Sequence, residues 1–576
     1  MGLLNSALHI GRTALLSYQS ALQVVGSNIS SSASPDYTRL RPELDPLQGQ
    51  RTTEGLQPGA GVTLSAIQRC VDEALENRLR IAQGEAEGLS AQRSVLSQVE
   101  AYFDELDGNG LADALTGFFN NLDALQNNPE DAATRDLVLS SGRQVADVLA
   151  DLRTQLTRLG VDADGQVSTL TAEANEYARQ IAELNGQIVT AEAPGRGQAT
   201  GLRDQRDALL RQLAEIVEIT VRVQPDGAVN VYLGSEALVQ SGYCRGLTTV
   251  EDIRDGLQRT TVRFADTGGE VKVGTGRLGG LLVARDQHAY GRVAALDELA
   301  AALIQDVNDI HADGQGLRGF TSLTSANAVA DPDAVLGSSA AGLSFPPQHG
   351  SFFLTVTDDA TNTPVAYRLN VTLTGGENDT TLSSLVEQIN GTVTGMTAAV
   401  TADNRLSLSA AVGYSFTFGH DGQEAQADTA HILSALGVNT FFTGSDARDI
   451  AVNETLAGTP ALLAAARTCT AGDGTNGGRL AALDSTASKR LSGATIPGFY
   501  EAVVYDVAAT AAGVTNNADA SSAVLTALQT QRDSISGVNL DEEAISLLKF
   551  ERAYQGAARY ISTVDEILET LMALVG

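Results

Sequence analysis

Along the first thirty positions, apolar or small residues return at alternating steps of four and three: Leu4, Leu8, Gly11, Leu15, Tyr18, Leu22, Val25 and Ile29. That spacing is a heptad seam. Gly26, Ser27 and Asn28, followed by Pro35, stop the helix after about 40 Å at 1.5 Å per residue. At the other end, Asn539 is placed to cap a helix whose first turn carries Asp541, Glu542 and Glu543, where exposed amides and the helix dipole favour carboxylates. From there Leu547, Tyr554, Ala558, Ile561, Leu568, Met572 and Val575 follow one seam. Phe550, Ala553, Ala557, Tyr560, Val564, Ile567, Leu571 and Leu574 follow a second beside it. Arg552, Gln555, Arg559, Ser562, Glu566 and Glu569 take the opposite face, so the apolar surface is wider than a two-stranded coil requires. Either a large intramolecular bundle or neighbouring subunits can cover the excess.

Between the ends the period changes several times. Residues 64–104 and 135–192 read as long polar-rich helices and 202–216 as a shorter one. From Glu218 to Lys272 the pattern turns β-like: ITVRV, then Pro225-Asp226-Gly227 as a turn, then VNVYL. Helical periodicity returns from Leu281 to His311. A longer β-rich stretch with FFLTV, YRLNVTL and LSLSA runs to about Asn453, and further helices are predicted near 483–510 and 514–534. A chain of 576 residues is too long for one core. The expected fold class is multidomain α plus β, with paired terminal helices forming a coiled coil, a long-helix bundle stem, and inserted β-rich outer domains. The expected boundaries are 1–35 with 538–576 for the terminal coiled coil and 36–217 with 277–320 and 454–537 for the helical stem. Residues 218–276 form a small β domain and 321–453 an outer insertion.

Charge narrows the function classes. A net charge of -32 repels phosphate backbones and anionic lipid, which argues against nucleic-acid binding. Lysine occurs only at Lys272, Lys489 and Lys549, so nearly all positive charge is arginine, suited to planar ion pairs. Cys70, Cys244 and Cys469 are widely spaced with no CxxC, which fits buried thiols better than a disulfide framework or zinc cluster. The first apolar region is broken by Arg12 and lacks a cleavage site, and no run of about 18 apolar residues occurs, so neither a cleaved signal peptide nor membrane insertion is expected.

Gly274, Gly276 and Gly279 spell GxGxxG after a strand-like segment. A dinucleotide site would need a short following helix and an acid ending the next strand, whereas Asp297 and Glu298 fall within a continuing helix. Turn glycines at a domain boundary are the expectation. Asp107-Gly108-Asn109-Gly110 and Asp313-Gly314-Gln315-Gly316 lack the ligands of a calcium loop. His9, His288, His311, His349, His420 and His431 form no HExxH, and no GxSxG occurs. No catalytic, cofactor-binding or metal-ligating residue is nominated, and no enzymatic activity is expected.

Two segments carry a resemblance. SALHIGRTALLSYQSALQVVGSNISSSASPDYTR, from Ser6 to Arg39, resembles the shared opening of flagellar axial proteins, with Asn28 and Ser34-Pro35-Asp36-Tyr37 at the family's asparagine and following turn. SGVNLDEEAISLLKFERAYQGAARYISTVDEILETLMALVG, from Ser536 to Gly576, is similar to the C-terminus of the same proteins. Asp204-Gln205-Arg206-Asp207, Asn308-Asp309-Ile310-His311-Ala312-Asp313-Gly314 and LGVNTFFTGSDARDIAVN, from Leu436 to Asn453, resemble the hook-associated branch of that family.

The resemblance implies a structural subunit joining hook to filament in a tubular assembly. The implied subunit interface consists of Leu4, Leu8, Leu15, Leu22, Ile29, Leu547, Phe550, Tyr554, Ala558, Ile561, Val564, Leu568, Leu571 and Met572. The implied partners are copies of the chain in a ring, the hook protein below, a second hook-associated junction protein above and a cytoplasmic export chaperone. The implied location is extracellular, at the hook–filament junction, reached through the flagellar type III channel without cleavage. Two alternatives stay open: a hook or second junction protein of the same family, and a binding or enzymatic module carried by the outer β insertion.

Overall fold

The computed structural model describes residues 2–34, 36–48, 59–104, 110–193, 197–419, 428–468 and 470–575. In chain order the main elements begin with helix α1 (Gly2–Ser30), strands β1 (Leu40–Gln48) and β2 (Gly59–Arg69), and helices α2 (Glu73–Tyr102), α3 (Leu111–Asn127), α4 (Ala132–Ala191) and α5 (Thr200–Ile216). Strands β3 (Thr220–Val223), β4 (Val229–Leu233), β5 (Glu236–Gln240), β6 (Tyr243–Cys244), β7 (Leu247–Arg254) and β8 (Leu257–Phe264) follow, then α6 (Gly276–Val283) and α7 (Tyr290–His311). The second β-rich stretch comprises β9 (Ser322–Thr324), β10 (Gly350–Asp358), β11 (Thr363–Val371), α8 (Leu382–Thr392), β12 (Met396–Val400), β13 (Leu406–Ala410) and β14 (Tyr414–Thr417). The chain continues through α9 (Ile432–Leu436), β15 (Phe442–Thr443), β16 (Ala451–Val452), α10 (Glu454–Gly458) and α11 (Thr475–Ala481) to the long helices α12 (Ile496–Ser536) and α13 (Leu540–Val575). The class is mixed helix and small antiparallel sheets.

Two compact units divide these elements: Met1–Val95 with Val161–Ala284 and Ala512–Gly576, and Leu96–Gly160 with Arg285–Ala511. In the first unit, α1 packs against α13 and against the β1–β2 hairpin. Ser17 Oγ donates to the Val62 carbonyl at 3.1 Å, tying helix to strand. Pro42 and Pro46 sit in β1, which pairs with β2 alone, the setting in which a strand tolerates proline. Strands β3 to β6 form a meander. Its first turn is Pro225-Asp226-Gly227, with Gly227 at φ +86° and Asp226 Oδ1 accepting from the Ala228 amide. Leu75, Leu79 and Ala82 of α2 bury against Leu528 of α12.

In the second unit the core centres on aromatic rings. Phe118 of α3 lies 5.4 Å from Phe441 and 5.8 Å from Phe442, centroid to centroid. An added Cβ at Gly142 of α4 would stand 2.6 Å from the Phe441 ring, so only glycine lets the helix approach it. Sheets β11–β10–β14 and β12–β13–β9 carry the outer strands, and Thr381 caps α8 through the Ser384 amide.

Several elements depart from the expectations. Residues 64–69 are strand rather than the start of a helix. Asp72 then caps α2 by accepting from the Ala74 and Leu75 amides. Helix α3 was not anticipated, although Leu111, Leu115, Phe118, Leu122 and Leu125 recur at helical spacing and are buried. The two helices predicted at 483–510 and 514–534 are one helix, α12, which starts only at Ile496. Gly513 inside it is exposed, and a lone helical glycine costs only about 1 kcal/mol relative to alanine.

Candidate assembly interface

The pairing of α1 with α13 follows from the heptad seams. Gly11 of α1 lies against Ile561 and Tyr560 of α13, and the Tyr18 and Phe550 rings stand 6.5 Å apart. Asn539 Oδ1 accepts from the Asp541 amide at 3.0 Å, capping α13. Of the nominated residues, Leu8, Leu15, Leu22, Ile29, Phe550, Tyr554, Ala558, Ile561 and Leu568 are half-buried and Val564 is buried. Leu547, Leu571 and Met572 are exposed, Met572 at 71%. The Leu4 side chain lies outside the described residues.

The nominated set leaves out Leu16, Leu540, Ile545, Leu548, Tyr560 and Ile567, all exposed apolar side chains. Tyr560 and Ile567, seven apart, and Leu571, four further on, share one side of α13. They are 42%, 48% and 42% exposed. This side is the second seam of the sequence pattern, and its period was the signal that marked it. Both seams meet α1 in part, the second through Phe550 beside Tyr18 and Tyr560 beside Gly11, with Val564 buried, while Ile567 and Leu571 keep about half of their surface in solvent.

A polar clasp holds the pair at its base. The buried Asn28 amide donates to the Leu40 carbonyl at 2.9 Å and to Glu543 Oε2 at 3.0 Å, and its oxygen accepts from the Leu40 amide and the Tyr37 hydroxyl. Arg39 Nε donates to Glu543 Oε1 and Nη1 to Glu542 Oε2, each at 2.8 Å. Arg69, at the end of β2, reaches Asp204 and Asp207 of α5, while Arg206 turns inward and donates to the Gly227 carbonyl at 2.8 Å. The Asp-Gln-Arg-Asp motif therefore works as a two-sided tie. Its acids hold the hairpin and its arginine holds the first turn of the β meander. Pro35 lies outside the described residues.

The other two motifs meet in the second unit. Asn308 Oδ1 accepts from the Phe441 and Phe442 amides and its Nδ2 donates to the Phe442 carbonyl, all at 2.9 Å. The Ala464 amide donates to His311 Nε2, which fixes the proton on Nδ1, donated to the Asn439 carbonyl at 2.7 Å. Asn439 Nδ2 in turn donates to the Gly314 carbonyl. Asp313 accepts from Arg479 and from the Asp428 amide, so the Asp313-Gly314 turn is a structural hub.

Burial holds His311 down from 6.5 to about 4 and pushes the Asp428 carboxyl up from 3.8 to about 7. As pH falls from 6.5 to 4, the unfolded chain takes up a proton that folded His311 refuses, so this residue lowers stability. Folded Asp428 takes up a proton more readily than the unfolded chain over the same window, so it raises stability. Asp428→Asn removes the opposing contribution. Its stability is expected to fall more steeply than wild type between about pH 6.5 and 4, by up to about 1.4 kcal/mol per pH unit, measured by urea unfolding at stepped pH.

The GxGxxG glycines are packing residues. Gly276 opens α6 at φ +79°, and a Cβ there would lie 2.6 Å from the Ile216 carbonyl oxygen. Beyond α6 the helix runs through a wide π turn, Ala284–Ala289, into α7, so Asp297 and Glu298 do lie within a continuing helix. Asp107, Gly108, Asn109, His420 and Cys469 lie outside the described residues. Cys70 and Cys244 are free, half-buried thiols. Among the described residues no helix is long and apolar enough to cross a membrane.

Comparison with known proteins places these features in context. Residues 96–324 match the flagellar hook-associated protein FlgK helical domain family. Residues 529–574 match the flagellar basal body rod FlgEFG protein C-terminal family, and residues 354–412 match the flagellin hook IN motif. Flagellar hook-associated protein 1 of Escherichia coli (strain K12) is 29% identical over 583 residues, covering 99% of this chain and 100% of that protein. Its namesake in Bacillus subtilis (strain 168) is 28% identical over 185 residues, 31% of this chain and 36% of that protein. The solved flagellar hook junction protein FlgK from Burkholderia pseudomallei is 17% identical with a TM-score of 0.51, covering 80% of this chain and all of that one. At that identity the likeness is one of fold.

Proposed function

The chain belongs to the flagellar hook-associated protein 1 family, and from that premise we propose that it is a structural subunit of the hook–filament junction, assembled through its terminal helices. The observation that carries the interface reading is the two-sided apolar character of α13. α1 covers part of its apolar surface, and Tyr560, Ile567 and Leu571 still leave 42–48% of their surface in solvent. Apolar side chains left about half exposed along a long helix mark a surface awaiting a partner, and identical copies stacked in a ring supply it.

In this reading α1 and α13 form a terminal coiled-coil domain, extended by the β1–β2 hairpin. The long helices form the stem, and the β meander and the strands at 321–453 are outer domains inserted in it. Its neighbours are copies of itself, the hook protein on one side and a second hook-associated protein on the other. A cytoplasmic chaperone covers the apolar ends before export to the junction outside the cell. The matches to rod, hook-associated and flagellin sequence families support an axial role over a catalytic one.

A photo-crosslinking amino acid at Tyr560 tests the interface. Irradiation of intact flagella is expected to give an adduct of two subunits, and irradiation of the dilute isolated chain none. Adducts confined within one chain in assembled flagella would refute the interface.

A further inference from the structure

The second unit contains a polar cleft of about 380 Å³ that takes no part in the pairing of α1 with α13. Its floor includes Arg135 of α4, which is 1% exposed. The guanidinium Nε donates to the Pro129 carbonyl at 2.7 Å, and Nη1 donates to the carbonyls of Leu463 at 2.7 Å and Pro460 at 3.2 Å. Among the described residues Nη2 makes no hydrogen bond and no carboxylate stands within ion-pair distance. Carbonyl dipoles only partly replace lost hydration, and a buried cation without a counter-charge is costly. Burial accordingly pushes Arg135 down to about 10.

The acids that line the same cleft are already engaged. Asp473 accepts from the amides and hydroxyls of Thr468 and Thr475. Against the push of burial, those bonds hold it at about 2. Glu130 accepts from the Gly472 amide at 2.8 Å, and Asp359 from the Ser415 hydroxyl at 2.9 Å. A second guanidinium, Arg318, lines the cleft, is exposed, and has no partner among the described residues. Thr417, on the cleft wall, is buried and its hydroxyl has no partner among the described residues.

We propose that this cleft binds a small hydroxy-carboxylate of sugar-acid size, its carboxylate on Arg135 and Arg318 and its hydroxyls against the threonine- and serine-lined wall. With Nε and Nη1 of Arg135 on carbonyls, Nη2 is left to donate to one carboxylate oxygen while the Arg318 guanidinium takes the other, charge-assisted bonds that a neutral sugar cannot make. The cleft volume falls within the range of small-molecule sites and exceeds what a bare anion fills.

The test is titration calorimetry of the full chain with D-galacturonate, its neutral counterpart D-galactose, and inorganic phosphate. Saturable binding of galacturonate is expected, with none for galactose and phosphate at least about tenfold weaker. Arg318→Gln is expected to weaken galacturonate at least about threefold, since a rim charge contributes less than a buried one. Arg135→Lys, which keeps the charge but loses the Nη2 donor, is expected to abolish binding. Should Arg135→Lys unfold, as circular dichroism would reveal, the Arg318→Gln titration decides alone. The site is overturned by absence of saturable heat, by galactose binding equally, by phosphate binding as tightly as galacturonate, or by unchanged affinity in Arg318→Gln.

Discussion

Ile567→Asp, alone or with Leu571→Asp, is expected to abolish incorporation into flagella while leaving the isolated chain folded. Both side chains are about half in solvent on α13, so an aspartate there stays hydrated in the monomer and shifts its stability by less than about 1 kcal/mol. Buried between subunits, the same carboxylate loses its water without gaining a cation, which costs several kcal/mol. A penalty of about 4 kcal/mol corresponds to a roughly thousandfold weaker association. In a strain lacking its own junction protein, the variant should fail to restore swimming, with the monomer's thermal unfolding unchanged. Normal swimming would eliminate this strip as an interface. Ile561→Asp is a poorer probe, because Ile561 already packs against Gly11 of α1 and its loss would loosen the terminal pair as well.

The second large effect is expected from Asn308→Ala. Asn308 is buried, and its amide meets three backbone groups of Phe441 and Phe442, the residues that carry the aromatic core of the second unit. Alanine leaves those groups without partners in a dry interior, each costing about 1–3 kcal/mol. A total loss of about 3–5 kcal/mol is expected in urea unfolding, with no change in the first unit's terminal pairing. An Asn308→Asp variant, which retains the acceptor but loses the donor, should fall between the two. A change below about 1 kcal/mol for alanine would show that Asn308 does not organise this core.

What the amino-acid pattern revealed depends on how local the determining physics is. The ends were legible because heptad spacing and the Asn539 cap are written in consecutive residues. The same holds for α4, α5 and the Pro225-Asp226-Gly227 turn. The β1–β2 hairpin was not. Its strands bury one face only on α1, and in Leu64 to Arg69 that half-buried alternation ran into the following helix, with Asp72 the one residue marking the break. Helix α3 carried a visible period that was not used. The roles of Asp204, Arg206, Asp207, Asn308 and His311 could not be read locally, since each partner lies tens to hundreds of positions away. The Arg135 cleft is hidden for the same reason. The carbonyls that accept from Arg135, those of Pro129, Pro460 and Leu463, come from segments that only the tertiary structure brings together. Along α13 periodicity marked both seams, but only packing on α1 distinguished the covered residues, such as Val564, from the half-exposed Ile567 and Leu571.

Asn28 and Glu543 touch across 515 positions of chain, and that distance sets a clock. Until α13 has emerged, from a ribosome or from any narrow conduit, α1 can close only upon the β1–β2 hairpin. The entropic cost of closing a loop grows only slowly with its length, so the delay comes from order of arrival more than from energetic cost. The terminal pair is thus completed late, and until then the seam of α1 is covered on its hairpin side alone.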